Sequence, residues 1–301
     1  MIDVPEKFAR GTVQREGRPG AEWIAGLPAT VGELLARWEC APDGEVMHGA
    51  VGIVVPVRRR AGGAAVLKVS FPHPGNAHEP DAFAAWGGRG AVLLHERADE
   101  HFAMLLERVG PSTLAEVEEG DEAVRTAGRI SRRLAVPAPP GLPRLRDRAG
   151  AWEAELQQAA AELDHAMSRR AVEAAVATVR ELGRDQPDTL VHGDLHARNI
   201  LRADREPWLA VDPKGYAGDL AYDGGTLLTS RVPVLLGSGD LGKALNRTLC
   251  VFAEAAEIDP ERARRWAQFH AVRAAFWERR HGSFETRGFV PLLDDLAELL
   301  V

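Results

Sequence analysis

The stretch from Leu190 to Leu201 reads LVHGDLHARNIL and places two histidines, an aspartate and an asparagine between short apolar flanks. Side chains of these types bind metals or move protons and do little to fill a core. Two kinds of chemistry would use them. Alternate side chains could form a metal site, or the stretch could be a catalytic loop that holds the phosphates of a nucleotide.

The spacing within this stretch favours phosphoryl transfer. Four residues separate Asp194 from Asn199, as in a kinase-type loop whose aspartate contacts the acceptor hydroxyl and whose asparagine binds magnesium. Two β-like segments, 199–202 and 208–212, then predict a hairpin that ends at Asp212. An amide oxygen and a second carboxylate suit a magnesium ion held between two phosphates.

Phosphoryl transfer also needs a cation on the phosphates, and lysine is rare in this chain. The lysines are Lys7, Lys68, Lys214 and Lys243. Lys68 lies in AAVLKV, a predicted strand, where it is comparable to the lysine of the kinase V-A-I-K pattern. We therefore predict that Lys68 contacts the nucleotide, and Lys214 stays unassigned.

Two other hypotheses are open at this point. A metallohydrolase would use His192, Asp194 and His196 as metal ligands, but it leaves the asparagine, the second aspartate and Lys68 unexplained. A relative of the kinase fold that binds nucleotides without catalysis is the other.

Periodicity divides the chain into a β-rich first third and a mainly helical remainder. GAVGIVVPVRRRAGGAAVLKVSF alternates apolar residues around Gly62-Gly63 and predicts a hairpin, and AVLLHERADEHFAMLLERV predicts two further strands. PDAFAAWGG predicts a short helix between them, and the pair Thr30 and Glu33 predicts a capped helix that starts at Thr30. After Gly110, helical spacing dominates.

Composition limits the classes of function. The chain has 301 residues, 45% of them hydrophobic, and a net charge of −7, which argues against nucleic acid as a partner and mildly favours a cationic substrate. No apolar run approaches the length that crosses a membrane, so we expect a cytoplasmic protein and, by default, a monomer. The two cysteines, Cys40 and Cys250, are expected to be buried free thiols.

The motifs resemble those of a known family. LVHGDLHARN followed by WLAVDPKGYAGDLAYD is similar to the aminoglycoside phosphotransferases, in particular the branch of streptomycin 6-phosphotransferases and hydroxyurea phosphotransferases. The upstream segments EWIAGLPA, VVPV, AAWGGRGAV and AMLLERV also resemble that branch, so the likeness extends from Trp23 to Thr226.

This resemblance implies an α+β, protein-kinase-like fold with two lobes. Residues 1–108 would form an N-terminal lobe with a small antiparallel β-sheet that binds the nucleotide, and residues 109–301 a mainly helical lobe with the catalytic loop and the acceptor site. ATP would be the donor, with GTP left open, and Mg²⁺ the metal. The acceptor would be a small hydroxylated antibiotic, with hydroxyurea or another small metabolite as the alternative.

The resemblance also implies a role for each matching residue. Asp194 would be the catalytic carboxylate, and Asn199 and Asp212 would be the magnesium ligands. Lys68 would contact the α- and β-phosphates.

Three further residues follow from the same resemblance. Glu79 would orient Lys68 from the cap of the short helix, because the following proline biases Glu79 away from helical dihedrals; Asp81 is the alternative. Backbone groups near Glu107 and Val109 would meet the adenine edge. No G-x-G-x-x-G precedes the hairpin, so the loop over the phosphates is expected to be short.

Supporting residues are expected around the catalytic loop, namely His192, His196, Asp219 and Asp223. His192 is expected to orient the loop by hydrogen bonding, and His196 to support Asp194 or the metal's outer ligands. The two aspartates would brace the loop, with solvated helix caps as the alternative.

The acceptor site is expected near the carboxyl end. Trp277, Glu278, Asp294 and Asp295 could stack on or pair with a guanidino or aminocyclitol group. Exposed charges on a surface helix are the alternative for these residues.

Overall fold

The hairpin predicted around Gly62-Gly63 forms the centre of an antiparallel sheet. The computed structural model describes residues 2–118, 120–282 and 287–301. The strands of this sheet are β1 (Cys40–Pro42), β2 (Met47–His48), β3 (Gly52–Arg59), β4 (Ala64–Ser70), β5 (Leu94–Ala98) and β6 (Ala103–Glu107). They lie in the order β1-β3-β4-β6-β5, and β2 also pairs with β3.

The first helix begins much earlier than its capping signature predicted. Helix α1 (Glu6–Arg37) has a break at Gly17, where φ is 64°, and Thr30 lies in its interior, so the predicted helix start at Thr30 is wrong. A glycine and two prolines interrupt the helical pattern in the sequence. The helix is stabilised instead by burial of one face against the sheet, through Phe8, Leu27, Val31 and Leu34.

The short helix predicted between the strands is present as α2 (Glu79–Trp86). It ends at Gly87, which adopts a left-handed conformation with φ of 55°. Its buried face carries Ala82, Phe83 and Trp86, which pack towards the remainder of the chain.

The remainder of the chain is mainly helical. The helices are α3 (Gly120–Leu134), α4 (Leu145–Glu162), α5 (Arg169–Thr178), α6 (Ala221–Leu235), α7 (Leu241–Ala256), α8 (Pro260–His281) and α9 (Val290–Leu299). A π-helical turn, Val179–Gly183, follows α5. The predicted α+β class is confirmed.

Four short strands lie between α5 and α6. They are β7 (Thr189–Val191), β8 (Ile200–Arg202), β9 (Trp208–Ala210) and β10 (Tyr216–Gly218). Residues 192–199 form the candidate catalytic stretch, which we call the catalytic stretch below. The hairpin predicted after it is present as β8 and β9, and β10 pairs with β7 on the other side of that stretch. The residues 192–199 are therefore held at both ends by β-structure.

In the part of the chain that the structure describes, the buried apolar residues form three clusters. One lies between α1 and the sheet, and another lies among α4 to α9. The third joins Phe83 and Met104 to Leu195, Ile200 and Leu209, so apolar residues from both sides of position 108 pack together. The division into lobes at 108 and 109 stays a prediction.

The burial of the two cysteines and the lack of a membrane-spanning segment are two further expectations from the sequence. Cys40 and Cys250 are free, as expected, but Cys40 is only half-buried and Cys250 is exposed, so the expected burial is wrong for both thiols. Among the described residues, no helix has both the length and the apolar character needed to span a bilayer.

Gly128 allows α3 to lie close to α7, and this contact gives a stability prediction. A Cβ at Gly128 would lie 2.7 Å from Ala255 Cβ and 2.9 Å from the carbonyl oxygen of Phe252. Because that backbone cannot move freely, Gly128→Ala should lower the free energy of unfolding by about 1–3 kcal/mol, although alanine has the higher helix propensity. Urea denaturation measures the change.

Gly150 is the matched control, because it is exposed in α4 and a Cβ there meets nothing within 4 Å. Gly150→Ala should be neutral or stabilising by up to about 1 kcal/mol. Equal effects of the two substitutions would contradict the close packing of α3 on α7.

Candidate active site

Lys68 lies at the centre of a group of charged side chains. Its Nζ is 2.5 Å from Glu79 Oε1 and 2.5 Å from Asp212 Oδ1. Strand β4 carries Lys68, the first residue of α2 is Glu79, and Asp212 follows β9. Three elements that are distant in sequence therefore meet at one ammonium group.

The residue that pairs with Lys68 is Glu79 and not Asp81. The cap of α2 is His78, so Glu79 lies one residue inside the helix and not at its cap as the sequence suggested. Asp81 instead accepts a hydrogen bond from Arg97 at 2.9 Å and contacts His78 at 3.0 Å.

The charges of this group are strongly coupled. Burial alone would lower the pKa of Lys68, which is 9% exposed, but the carboxylates of Asp212 and Glu79 overcome that effect and raise it above its ordinary value. Lys68 lowers the pKa of Asp212 below its ordinary value. Burial raises the pKa of Glu79 to about 7, against the opposing effect of Lys68. Lys68 is therefore a permanent cation.

Asp212 has an unusual backbone conformation. Its φ is 58°, in the left-handed region that aspartate tolerates better than most residues. Pro213 follows, and a residue before proline is disfavoured in the right-handed helical region. The chain therefore turns directly after β9, where the Asp212 carboxylate meets Lys68.

The imidazole of His192 is a fixed internal brace of the catalytic stretch. Its Nε2 lies 2.9 Å from the carbonyl oxygen of Val211, and its Nδ1 accepts from the backbone N–H of Asp194 at 3.3 Å. This network assigns the proton to Nε2. Burial lowers the pKa of His192 to about 3, so the ring is neutral. Both ring nitrogens are occupied, which disfavours His192 as a metal ligand and so the metallohydrolase hypothesis.

Asp223 anchors the same stretch from α6. Its two carboxylate oxygens accept the backbone N–H groups of His192 at 3.0 Å and Gly193 at 2.7 Å. Asp223 is 1% exposed, and burial raises its pKa to about 7. It is neither solvated nor a simple helix cap.

Among the described residues, Asp219 makes no hydrogen bond or ion pair with the catalytic stretch. Its carboxylate accepts from the backbone N–H of Ala221 at 3.0 Å, from Arg262 at 2.5 Å and from Trp266 at 2.8 Å. It therefore caps α6 and fixes that helix to α8, and it supports the stretch only through α6.

Asp194 and Asn199 are joined through the backbone. Asn199 Nδ2 donates to the carbonyl oxygen of Asp194 at 3.0 Å, which leaves Asn199 Oδ1 available. The Asp194 carboxylate is partly exposed and lies 3.9 Å from His196 Nε2 and 3.6 Å from Lys214 Nζ. Burial raises the pKa of Asp194, against the lowering by Lys214 and His196.

Lys214, which has no role assigned from the sequence, lies beside Asp194. Its backbone N–H donates to the carbonyl oxygen of His192 at 2.7 Å, and this bond holds its side chain beside Asp194. Two features of the sequence could have indicated a role for Lys214: its position two residues after Asp212 and the rarity of lysine in this chain.

The oxygens of Asn199 and Asp212 fit a hard divalent cation. Oδ1 of Asp212 accepts a hydrogen bond from Lys68, whereas its Oδ2 has no partner among the described residues. Oδ1 of Asn199 is also available, because the hydrogen bond of this side chain is made by Nδ2. Carboxylate and amide oxygens are the donors that such a cation takes. Within the described part of the chain, no group of three or more His, Cys, Asp or Glu side chains could hold a metal.

The predicted hinge residues lie at the end of β6. The Glu107 carboxylate is occupied by Arg205 at 2.8 Å and the backbone N–H of Leu93 at 2.9 Å. The backbone N–H of Gly110 donates to Arg202, whereas no hydrogen bond to the Val109 backbone occurs in residues 2–118, 120–282 or 287–301. Of the two predicted positions, Val109 is the one with a free backbone edge.

Asp194 also lines an open cleft of about 670 Å³, which Lys68, Asn199 and Asp212 do not line. Trp277 and Glu278 line a groove that adjoins this cleft. Asp294 and Asp295 line neither: Asp294 is buried against Arg279, with 2.6 Å between its Oδ2 and the guanidinium, and Asp295 is exposed on α9. The structure therefore does not bring these two predicted acceptor residues to the cleft.

Comparison with known proteins fits this geometry. Residues 37–282 match the family model of the aminoglycoside/hydroxyurea antibiotic resistance kinases. The chain belongs to this family. The match covers both the Lys68 group and the catalytic stretch, so the chain is a kinase that phosphorylates a hydroxyl group, and the family implies ATP and a divalent metal.

Individual proteins support the assignment. The streptomycin 6-kinase of Streptomyces glaucescens is 37% identical over 94% of this chain and 93% of its own length. The hydroxyurea phosphotransferase of Kitasatospora aureofaciens is 34% identical over 94% of this chain and 82% of its own length. The solved amicoumacin kinase hAmiN, in complex with AMP-PNP, Ca²⁺ and Ami, has a TM-score of 0.56 at 11% identity, over 91% of this chain and 92% of that one. The protein-kinase-like fold is thereby confirmed.

The neutral imidazole of His192 gives a pH prediction. Its pKa in the folded chain, about 3, lies below the ordinary value of 6.5, so its contribution to stability is complete above pH 6.5 and is lost as the pH falls. Glutamine keeps a donor and an acceptor but does not titrate. The advantage of the wild type over His192→Gln should shrink below pH 6.5 by up to about 1.4 kcal/mol per pH unit.

Urea denaturation of both proteins between pH 7.5 and 5.0 measures this difference. The other titrating groups cancel between the two proteins. A stability difference that stays constant across this pH range would show that His192 is not held as a neutral ring.

Proposed function

We propose that this chain is an ATP- and Mg²⁺-dependent O-phosphotransferase that inactivates a small hydroxylated antibiotic. One observation carries the proposal. Asp212 contacts Lys68, Asn199 bonds to the carbonyl oxygen of Asp194, and Asp194 also lines an open cleft that Lys68, Asn199 and Asp212 do not line. A nucleotide's phosphates beside Lys68 and an acceptor hydroxyl in the cleft would then meet at Asp194, as phosphoryl transfer requires.

The transfer step follows from the groups around Asp194. The acceptor hydroxyl donates a hydrogen bond to the Asp194 carboxylate, and its oxygen attacks the γ-phosphorus. A new O–P bond forms while the bond from the γ-phosphorus to the β,γ-bridging oxygen breaks; the proton passes to Asp194, and ADP leaves. Burial raises the pKa of Asp194, which makes this carboxylate a better proton acceptor.

Lys68, Lys214 and the metal would each neutralise a different part of the nucleotide. Lys68 neutralises the nucleotide's α- and β-phosphates, and Glu79 keeps its ammonium in place. Asn199 Oδ1 and the Asp212 carboxylate would hold the metal. Bound Mg²⁺ would neutralise charge on the β- and γ-phosphates. Lys214, 3.6 Å from Asp194, lies where it can neutralise the phosphoryl group in transit.

The adenine base would meet the chain at the end of β6. The free backbone edge of Val109 supports a hinge contact there, while the side chain of Glu107 is occupied by Arg205. These contacts do not distinguish the adenine of ATP from the guanine of GTP. We propose ATP because the family implies it as the phosphate donor.

The names of the relatives suggest the acceptors. A cleft of about 670 Å³ lies in the range that holds drug-sized ligands, which supports an antibiotic such as streptomycin. Hydroxyurea is the second candidate, because a relative that covers most of this chain is named for it. Support for a cationic acceptor comes from Trp277 and from Glu278, whose Oε2 is buried without a partner among the described residues. An ATP-dependent activity fits the cytoplasm, and the monomeric state stays a prediction.

The proposal is tested by a coupled ADP-release assay over streptomycin, other aminoglycosides, hydroxyurea and amino sugars. Asp194→Asn should lower kcat by about 10²- to 10⁴-fold, because the proton acceptor is lost, while the affinity for ATP changes little. ATP affinity is measured separately by titration calorimetry.

Asp295→Asn is the matched control, since Asp295 is an exposed aspartate outside the cleft. It should retain full activity. Normal turnover by Asp194→Asn, or loss of ATP binding with unchanged turnover per bound nucleotide, would contradict the role of Asp194.

A further inference from the structure

The β8–β9 hairpin has the proposed metal ligands at one end and Arg205 at the other. Asn199 directly precedes β8, Asp212 follows β9, and Arg205 lies in the turn between the two strands. The backbone N–H of Val211 donates to the carbonyl oxygen of Asn199 at 2.9 Å, which closes the hairpin beside the metal ligands. A contact of Arg205 is therefore made at the far end of the hairpin that carries these ligands.

The guanidinium of Arg205 binds the end of β6 and the connection between α2 and β5. Its Nε lies 3.0 Å from Glu107 Oε1, and its Nη2 lies 2.8 Å from Glu107 Oε2. Nη1 donates to the carbonyl oxygen of Gly88 at 2.8 Å, and Nη2 donates to that of Ala91 at 2.9 Å. Only the planar fork of an arginine has the donors to reach a carboxylate and two carbonyl oxygens together.

The backbone on both sides of Val109 is held by this hairpin. Glu107, two residues before Val109, is bound by Arg205. The N–H of Gly110, the next residue, donates to the carbonyl oxygen of Arg202 at 2.8 Å. A Cβ at Gly110 would lie 3.2 Å from the same oxygen, so the two backbones are in close contact. The proposed base contact at Val109 therefore lies between two contacts to one hairpin.

Backbone hydrogen bonds continue this connection along both edges of the hairpin. On the β8 side, the N–H of Arg202 donates to the carbonyl oxygen of Ser112 at 2.8 Å. On the β9 side, the N–H of Ala210 donates to Gly90 at 2.9 Å, and the N–H of Val92 donates to Ala210 at 3.2 Å. The hairpin is thus fixed along its length, and Arg205 extends the connection to the end of β6.

The pair of Arg205 and Glu107 differs from an ordinary surface ion pair. Exposed pairs contribute little, because solvent screens them and both side chains lose freedom. The side chain of Glu107 is only 15% exposed, and it accepts two guanidinium nitrogens and the backbone N–H of Leu93 at 2.9 Å. A two-point contact of this kind fixes orientation as well as distance.

We infer that Arg205 is a positioning residue for the nucleotide, which sets the separation between the backbone that meets the base and the oxygens that hold the metal. This inference rests on the proposed function for the base contact at Val109 and for the metal ligands Asn199 and Asp212. A nucleoside triphosphate has to reach both places at once, so its affinity depends on their separation. A triphosphate without a base meets only the metal ligands and Lys68.

Two ligands separate this role from general damage to the site. The dissociation constants of AMP-PNP and of inorganic tripolyphosphate, each with Mg²⁺, are measured by titration calorimetry on variants that circular dichroism shows to be folded. Arg205→Gln should weaken the binding of AMP-PNP about tenfold and leave that of tripolyphosphate unchanged. Arg205→Lys should also weaken AMP-PNP, because an ammonium group lacks the fork that binds Glu107 and the two carbonyl oxygens.

Glu107 provides an independent variant, and Arg133 provides the matched control. Glu107→Gln should weaken AMP-PNP to a similar extent, and its combination with Arg205→Gln should be no weaker than the single variants, since both residues act through one contact. Arg133 is a half-exposed arginine of α3 that pairs with Glu206 in the same turn. Arg133→Gln should change neither dissociation constant.

The possible results distinguish this inference from the proposed function. Equal weakening of both ligands by Arg205→Gln, unchanged binding of AMP-PNP, or additive effects of the Arg205 and Glu107 variants would overturn the role of Arg205. The same weakening in Arg133→Gln would also overturn it. Failure of the wild type to bind either ligand would instead contradict the proposed function.

Discussion

The ammonium of Lys68, held between the carboxylates of Glu79 and Asp212, is the interaction on which the rest of the site depends. Buried charges are costly unless they are paired, so Lys68 constrains the positions of both partners. Those partners come from α2 and from the end of the β8–β9 hairpin, while Lys68 comes from the sheet. One lysine therefore fixes the β-sheet relative to the loop that carries Asp212, and the apolar cluster around Phe83 and Leu195 supports the same contact.

The second constraint acts on the backbone around Asp194. His192 bonds to Val211 and to the N–H of Asp194, and Asp223 accepts the N–H groups of residues 192 and 193. None of these contacts uses the Asp194 carboxylate. The side chain that would do chemistry is thus left free, partly exposed between Lys214 and His196, while buried groups hold its backbone.

Much of this arrangement could be predicted from the sequence, because the signals are local. Spacing places Asp194, Asn199 and Asp212 on a loop and hairpin, and alternation places Lys68 on a strand. The start of α1 could not be predicted, since packing of Phe8 and Leu27 on the sheet outweighs Gly17 and the prolines. The predicted acceptor residue Asp294 was wrong, because it belongs to a buried ion pair with Arg279. Arg148 and Arg273 line the cleft, but only the tertiary structure brings them there.

The most direct test of this account is a crystal structure with a non-hydrolysable ATP analogue and Mg²⁺. The α- and β-phosphates should contact Lys68, Asn199 Oδ1 and Asp212 should bind the metal, and the γ-phosphate should lie beside Asp194 at the open cleft. A triphosphate bound away from Lys68, or a metal held by His192 and His196, would contradict it.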